Sequence, residues 1–290
     1  MTSPQAFPAL DDHAAWKATI AAMDEQILIG IEARIAAIDA TVEQISIEGI
    51  DVFVITPPDA DDGDDAPLLY DIHGGGLIAG GGQACRAMGT VTATAAGLVT
   101  WAVDYRMPPD HPYPTPLDDC LTVYRALLDV RPPKKIAVSG SSAGGNLAAA
   151  LMLKAHAEGL PMPACLVLNS PEADLTESGD SFETNHGVDY VLVHRLTDSI
   201  ALYCGGHDLE DPFLSPLFGD VSHFPPTYLQ TGTRDLFLSN TVRFHRKLRA
   251  ADVEAELHVG EAMPHGGFFG FAPEDAELDA ELHDFVAKHL

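Results

Sequence analysis

Positive charge is scarce in this chain. Lys and Arg together number 16 against 43 Asp and Glu, a formal charge of −27 at pH 7. Such a surface repels polyanions, so neither nucleic acid nor an anionic membrane is expected as a partner, and the excess reads first as a device for solubility. Cysteine is sparse too. Cys85, Cys120, Cys165 and Cys204 lie far apart with no C-x-x-C pair. Free thiols in a reducing cytoplasm explain that spacing better than disulfides or zinc. No apolar run reaches the roughly 18 residues that a membrane span needs. The opening stretch, MTSPQAFPALDDHAAW, has neither a basic n-region nor an apolar h-region, so no secretory signal is expected. The acidic run at 57–67, PPDADDGDDAP, lacks the spacing and terminal glutamate of a calcium loop and reads as a solvated loop.

What the chain does have is apolar residues in a regular rhythm. Hydrophobic residues make up 46% of 290, enough for one large domain with a smaller appended lobe. Residues 11–40 read as one or two amphipathic helices, with Ile27, Ile31, Ile35 and Ile38 recurring at threes and fours. Two β-rich runs at 42–49 and 50–58 are close enough for a hairpin at a sheet edge. Short, β-prone runs then follow at 68–73, 98–105, 135–140, 164–170, 226–232 and 255–261. Helix-length segments occur at 114–129, 143–158, 239–252 and 273–289. Strands alternating with helices predict a mostly parallel sheet covered on both faces, an α/β fold. From about 172 to 206 the chain does not return to a strand. That is long for a plain connection and predicts structure of its own, such as a lid.

The stretch VSGSSAGGNLAAAL, Val138 to Leu151, lies where a strand gives way to a helix. Ligands of open parallel sheets bind beyond the carboxyl ends of the strands. A nucleophile held in a tight strand-to-helix turn needs neighbours without Cβ atoms two residues before and two after. Gly140 and Gly144 flank Ser142 in this way, whereas Ser139 and Ala143 flank Ser141. The turn chemistry selects Ser142.

A serine hydroxyl needs a base to take its proton and an acid to orient that base. Asp235 follows the strand PTYLQTG, and His265 follows AELHVGE in EAMPHGGF, in the order Ser, Asp, His. Glu172 and Asp174, after the strand ACLVLNS, are rivals for the acid; His186, His207 and His245 are weaker rivals for the base. The oxygen that becomes negative during attack needs fixed N–H donors. Ala143 offers one from the helix start, and the Gly-rich run after His73 offers bare backbone from a loop that follows an early strand. The second glycine run, Gly80 to Gly82, reads as a flexible loop. No G-K-[ST] follows either run, which excludes a phosphate loop.

Five blocks together resemble the hormone-sensitive-lipase-like esterases, family IV of the α/β-hydrolase superfamily. They are HGGG at 73–76, DYRMPPDHPYPTPLDD at 104–119, GSSAGGNLA at 140–148, the Asp235 segment and the PHGGF segment, in the family's order. The resemblance implies an α/β-hydrolase fold with a helical cap. The N-terminal helices in 1–40 and an insertion at 172–206 would build the cap, and 41–171 with 207–290 the catalytic domain. It implies Gly75, Gly76 and Ala143 as oxyanion donors and His73 as a brace for their loop. Glu172, standing where the family has an apolar or aromatic residue, Ser141, where it has aspartate or threonine, and Trp16 in the cap are candidates for the substrate pocket.

The expected activity is hydrolysis of short-chain acyl esters by Ser142, His265 and Asp235, with no cofactor and no metal, and with a small-molecule ester as the partner. Lactones and amides suit the same machinery. The plant gibberellin receptor, which resembles this family, binds without hydrolysis after losing its catalytic histidine, whereas His265 is intact here. A homodimer through an edge strand or the C-terminal helix is compatible with the pattern.

Overall fold

The computed structural model describes residues 7–290, so the first six residues of the predicted cap segment lie outside it. The order begins with α1 (His13–Ile35), β1 (Thr41–Ile47), β2 (Ile50–Thr56), β3 (Leu68–Ile72), α2 (Gln83–Ala96) and β4 (Val99–Asp104). It continues with α3 (Thr115–Val130), β5 (Ile136–Ser141), α4 (Ala143–Ala157) and β6 (Cys165–Asn169). After a long irregular stretch holding α5 (Ser181–Thr184) and α6 (Thr197–Cys204) come β7 (Thr227–Gly232), α7 (Leu238–Ala250), β8 (Ala255–Gly260) and α8 (Pro273–His289).

The eight strands form one sheet in the order β1-β2-β4-β3-β5-β6-β7-β8. β2 runs antiparallel to both of its neighbours, and every pair from β4 to β8 is parallel. Every residue of β3 and β7 is buried, which is why those strands read as apolar without alternation. The edge strand β1 alternates between exposed and half-buried residues instead. Successive side chains still go to opposite faces. Leu68, Tyr70 and Ile72 join the main core with residues of α3 and α4, whereas Leu69 packs with Ala96 of α2 and Phe285 of α8.

The helix α2 has no counterpart in the sequence reading. Its segment, QACRAMGTVTATAA, carries three threonines and an internal glycine, all poor helix formers. Burial overrides that propensity. Gly89 lets α2 approach the sheet, since a Cβ there would meet the Ala102 Cβ at 2.6 Å and the Ile55 Cδ1 at 2.8 Å. Nor is the run Gly80 to Gly82 loose. The Gly80 N–H donates to Asp24 Oδ1 of α1 at 2.6 Å, and the Gly82 N–H donates to Asp104 Oδ1 at 3.0 Å.

Candidate active site

Ser142 sits between β5 and α4 with φ 57° and ψ −122°, in left-handed space that a serine occupies only under constraint. The glycines around it are required by neighbouring carbonyls. A Cβ on Gly140 would lie 2.2 Å from the Gly144 oxygen, and one on Gly144 would lie 1.9 Å from the Ile72 oxygen at the end of β3. The turn is thereby closed tightly on itself and pressed against the end of β3.

Two loops at the same sheet edge complete the arrangement. His265 follows β8, and its Nε2 lies 2.8 Å from Ser142 Oγ. Its Nδ1 lies 3.0 Å from Asp235 Oδ1 in the loop after β7. A carboxylate accepts, so Nδ1 carries the proton and Nε2 presents a lone pair to the serine. Asp235 is fully buried. Burial alone would raise its pKa, but the charge and hydrogen bond of His265, Ser170 and the Phe237 N–H outweigh it and hold the carboxyl below its ordinary range. Thr231 Oγ1 donates to its second oxygen at 2.7 Å.

Opposite the serine runs the loop His73 to Gly76. Gly75 and Gly76 have φ of 130° and 61°, and a Cβ on Gly75 would lie 1.9 Å from the Ala79 oxygen. Among the described residues, the N–H groups of Gly75 and Gly76 donate to no protein acceptor. Ala143, the first residue of α4, is buried against the turn with an N–H that has no intrahelical partner. His73 holds the loop's start: its ring stacks on Tyr105 at 4.1 Å, its Nδ1 lies 2.7 Å from the Gly74 oxygen, and Tyr105 donates to its carbonyl at 2.9 Å.

Ser142, His265, Gly75 and Gly76 all face one cavity of about 860 Å³. Ser141 faces it too. Its outer wall is α1, through Met23, Ile27 and Ile31, together with Val191, Leu192 and Leu196 from the segment after β6.

A family profile described as the α/β-hydrolase fold matches residues 69–269. The chain belongs to the α/β-hydrolase family. This hydrolase is 35% identical over 233 residues to an esterase of Acinetobacter venetianus, which covers 76% of this chain and 75% of that one. Among solved structures, it is similar to esterase E25 with a TM-score of 0.92 and 39% identity, over 98% of this chain and 88% of that one. An esterase from the bacterial hormone-sensitive lipase family aligns with a TM-score of 0.83 and 29% identity, covering 99% of this chain and 93% of that one. The resemblance read from the five motif blocks is therefore a true membership.

Two of the three pocket candidates are not on the cavity wall of the hydrolase. Trp16 is fully buried, stacked on Phe7 at 5.2 Å, with its indole N–H donating to the Ala9 carbonyl and its ring packed among Ile78, Ala79 and Leu202. It fastens α1 to the chain just past the His73 to Gly76 loop, and other residues of the helix do the lining. Glu172 is within a hydrogen bond of the Ser142 backbone, its N–H donating to the Ser142 carbonyl at 3.2 Å. Its side chain turns away into the core, where neither oxygen finds a partner. Its rival Asp174 is engaged elsewhere, accepting from Arg243 Nη1 at 2.7 Å and from Thr176 and Ser178.

Burial, with Glu177 and Asp174 nearby, pushes the Glu172 carboxyl well above its ordinary pKa. The folded protein therefore keeps a proton that the unfolded chain releases above about pH 4.5. Stability falls as pH rises from that value, by up to about 1.4 kcal/mol per pH unit, until the folded-state pKa is reached. Glu172→Gln removes that slope. Thermal melts should show equal Tm values near pH 4.5 and a variant increasingly more stable than wild type toward pH 8.

A residue that sequence reasoning missed ties the site together. Asp189, buried in the segment after β6, accepts from the Leu236 N–H at 3.0 Å and the His265 N–H at 3.3 Å through Oδ2, and from the Val191 and Leu192 N–H groups through Oδ1. It joins the acid loop, the histidine loop and the cavity wall. Asn185 adds a bond to the Asp235 carbonyl at 2.8 Å. The only signal in the sequence was position, a carboxylate in an irregular segment without a basic neighbour. A displacement of about 1 Å in a reacting group costs on the order of 10² in rate. Asp189→Ala should lower kcat about that much while leaving Ser142 chemically intact, as labelling by an organophosphonate would show.

Proposed function

We propose that the chain is a serine carboxylesterase that hydrolyses short-chain acyl esters through an acyl-enzyme intermediate. The observation that carries this reading is the unbroken line Ser142 Oγ, His265 Nε2, His265 Nδ1, Asp235 Oδ1, with links of 2.8 and 3.0 Å at the floor of the cavity. His265 takes the serine proton as Oγ attacks the ester carbonyl and returns it to the leaving alcohol. Asp235 keeps the imidazole in the tautomer that can accept. Gly75, Gly76 and Ala143 donate backbone N–H bonds to the tetrahedral oxygen. Water, deprotonated by the same histidine, then releases the acid. No step calls on a cofactor or metal.

The esterase names of the relatives support the substrate class. The reading includes a cytoplasmic location, on the ground that all four cysteines are buried and unpaired. Hydrolysis of p-nitrophenyl esters from acetate to decanoate tests it. Turnover highest at the short end supports the proposal. Turnover confined to lactones or amides, or tight ligand binding with none, overturns it.

A further inference from the structure

Three side chains that ester cleavage does not use converge at the root of the oxyanion loop. His73 directly follows β3, Asp104 ends the neighbouring strand β4, and the register that pairs Ile72 with Val103 brings these two side by side. Cys85, in the first turn of α2, packs over them, its thiol 3.4 Å from the Val103 carbonyl. One ring nitrogen of His73, the Cys85 sulfur and an Asp104 carboxylate oxygen all lie within 4.8 Å of one another.

Two independent observations point to a cation there. His73 is only 3% exposed, and its Nδ1 must donate to the Gly74 carbonyl, leaving Nε2 with a lone pair and no partner. That tautomer leaves a neutral imidazole nitrogen free to act as a metal ligand. Negative charge, meanwhile, gathers without compensation. Asp51 is the register partner of Asp104 across β2 and β4, and Asp24 and Asp104 accept from the nearby Gly80 and Gly82 N–H groups. Among the described residues, no Lys, Arg or His pairs with Asp24, Asp51 or Asp104.

We propose that His73, Cys85 and Asp104 form a binding site for one borderline-soft divalent metal ion, zinc(II) by its chemistry. One nitrogen, one sulfur and one oxygen donor suit zinc rather than calcium or magnesium, which take oxygen ligands. On binding, the Cys85 S–H bond breaks heterolytically, its proton goes to solvent and the thiolate binds the metal. No electron is transferred. Thiolate and carboxylate together neutralise the dication, which relieves the repulsion among the three aspartates. A tetrahedral ion then has one position for water, and half-buried Asp104 marks the side of entry. The ion ties β3, β4 and α2 together where the His73 to Gly76 loop begins, so binding raises Tm.

Cobalt(II) titration of the full-length, chelator-stripped protein is the test, because thiolate ligation gives a charge-transfer band that surface histidines cannot produce. The expected result is a band saturating near one equivalent, abolished by stoichiometric zinc and missing in Cys85→Ala. Asp104→Asn, which keeps the thiol, should retain the band with cobalt affinity weakened about tenfold or more. No thiolate band in the wild type overturns the proposal, as does a band that persists in Cys85→Ala. If Cys85→Ala does not fold, as judged by circular dichroism, the wild-type and Asp104→Asn titrations decide. Cobalt affinity unchanged in Asp104→Asn then overturns it.

Discussion

Ser142→Ala is expected to lower kcat for p-nitrophenyl acetate by about 10⁶, the scale at which serine hydrolases lose their nucleophile. The variant removes the hydroxyl that His265 Nε2 meets at 2.8 Å, and with it the acyl-enzyme route proposed above. Some residual acceleration over water, on the order of 10³, should persist, because the Gly75, Gly76 and Ala143 N–H groups and the cavity are untouched. The fold should survive. The turn is held by backbone features that alanine keeps, namely the Ser142 N–H donating to the Asn169 carbonyl at 2.8 Å and the Asn146 N–H donating to the Ser142 carbonyl. Burst-phase kinetics and mass spectrometry after brief acylation check this. The wild type should gain one acyl group and the variant none. Turnover surviving at more than a hundredth of wild type would mean that the reaction does not pass through Ser142.

Asp235→Asn should cost about 10⁴ in kcat at neutral pH, as loss of the orienting acid does in serine proteases. Besides Ser170, the donors that converge on Asp235 include the His265 imidazole, the Phe237 N–H at 2.8 Å and the Thr231 hydroxyl at 2.7 Å. An amide has only one acceptor atom for them. His265 and the Phe237 N–H share Oδ1 and Thr231 bonds Oδ2. An NH₂ group at the Oδ1 position therefore faces His265 and forces the tautomer with the proton on Nε2, which cannot take one from Ser142. An NH₂ group at the Oδ2 position leaves His265 a neutral acceptor that stabilises the imidazolium less. Stability changes with a definite sign. The folded-state pKa of Asp235 is depressed below 3.8, so its ionised form stabilises the fold at neutral pH and that contribution is lost as pH falls through the depressed value. Asp235→Asn should therefore melt lower than wild type at pH 7, with the gap closing in acid. Equal kcat for the two proteins would exclude Asp235 as the orienting acid and return attention to the other carboxylates near the site.

The two variants probe residues that could be found without coordinates, and the reason is local. A strained strand-to-helix turn has to have glycine at fixed offsets, so Ser142 could be told from Ser141 by counting residues. Loops after strands of a parallel sheet gather at one edge, so order and strand position put Asp235 and His265 forward, with Glu172 and Asp174 as rivals for the acid, and the fold brings Asp235 and His265 into one hydrogen-bonded line. Buried strands betray themselves by unbroken apolar runs, as β3 and β7 do. Segments whose structure depends on burial gave no such sign. In α2, low-propensity residues are helical because the sheet packs against them, and Gly89 is there to allow the approach.

The sequence by itself determined the α/β architecture, the strained turn and the candidates for nucleophile, base and acid, because each follows from backbone sterics or from periodicity within a few residues. Only the tertiary structure decided which way the other side chains face. Glu172 and Trp16 stand at positions compatible with a pocket, yet both turn into the core. Asp189 drew no notice in the sequence, yet it gathers backbone N–H groups from segments up to 76 residues away from it. His73, Cys85 and Asp104 meet only because β3 and β4 are neighbours out of chain order. Such contacts depend on the relative placement of distant segments, which no local pattern of residues records.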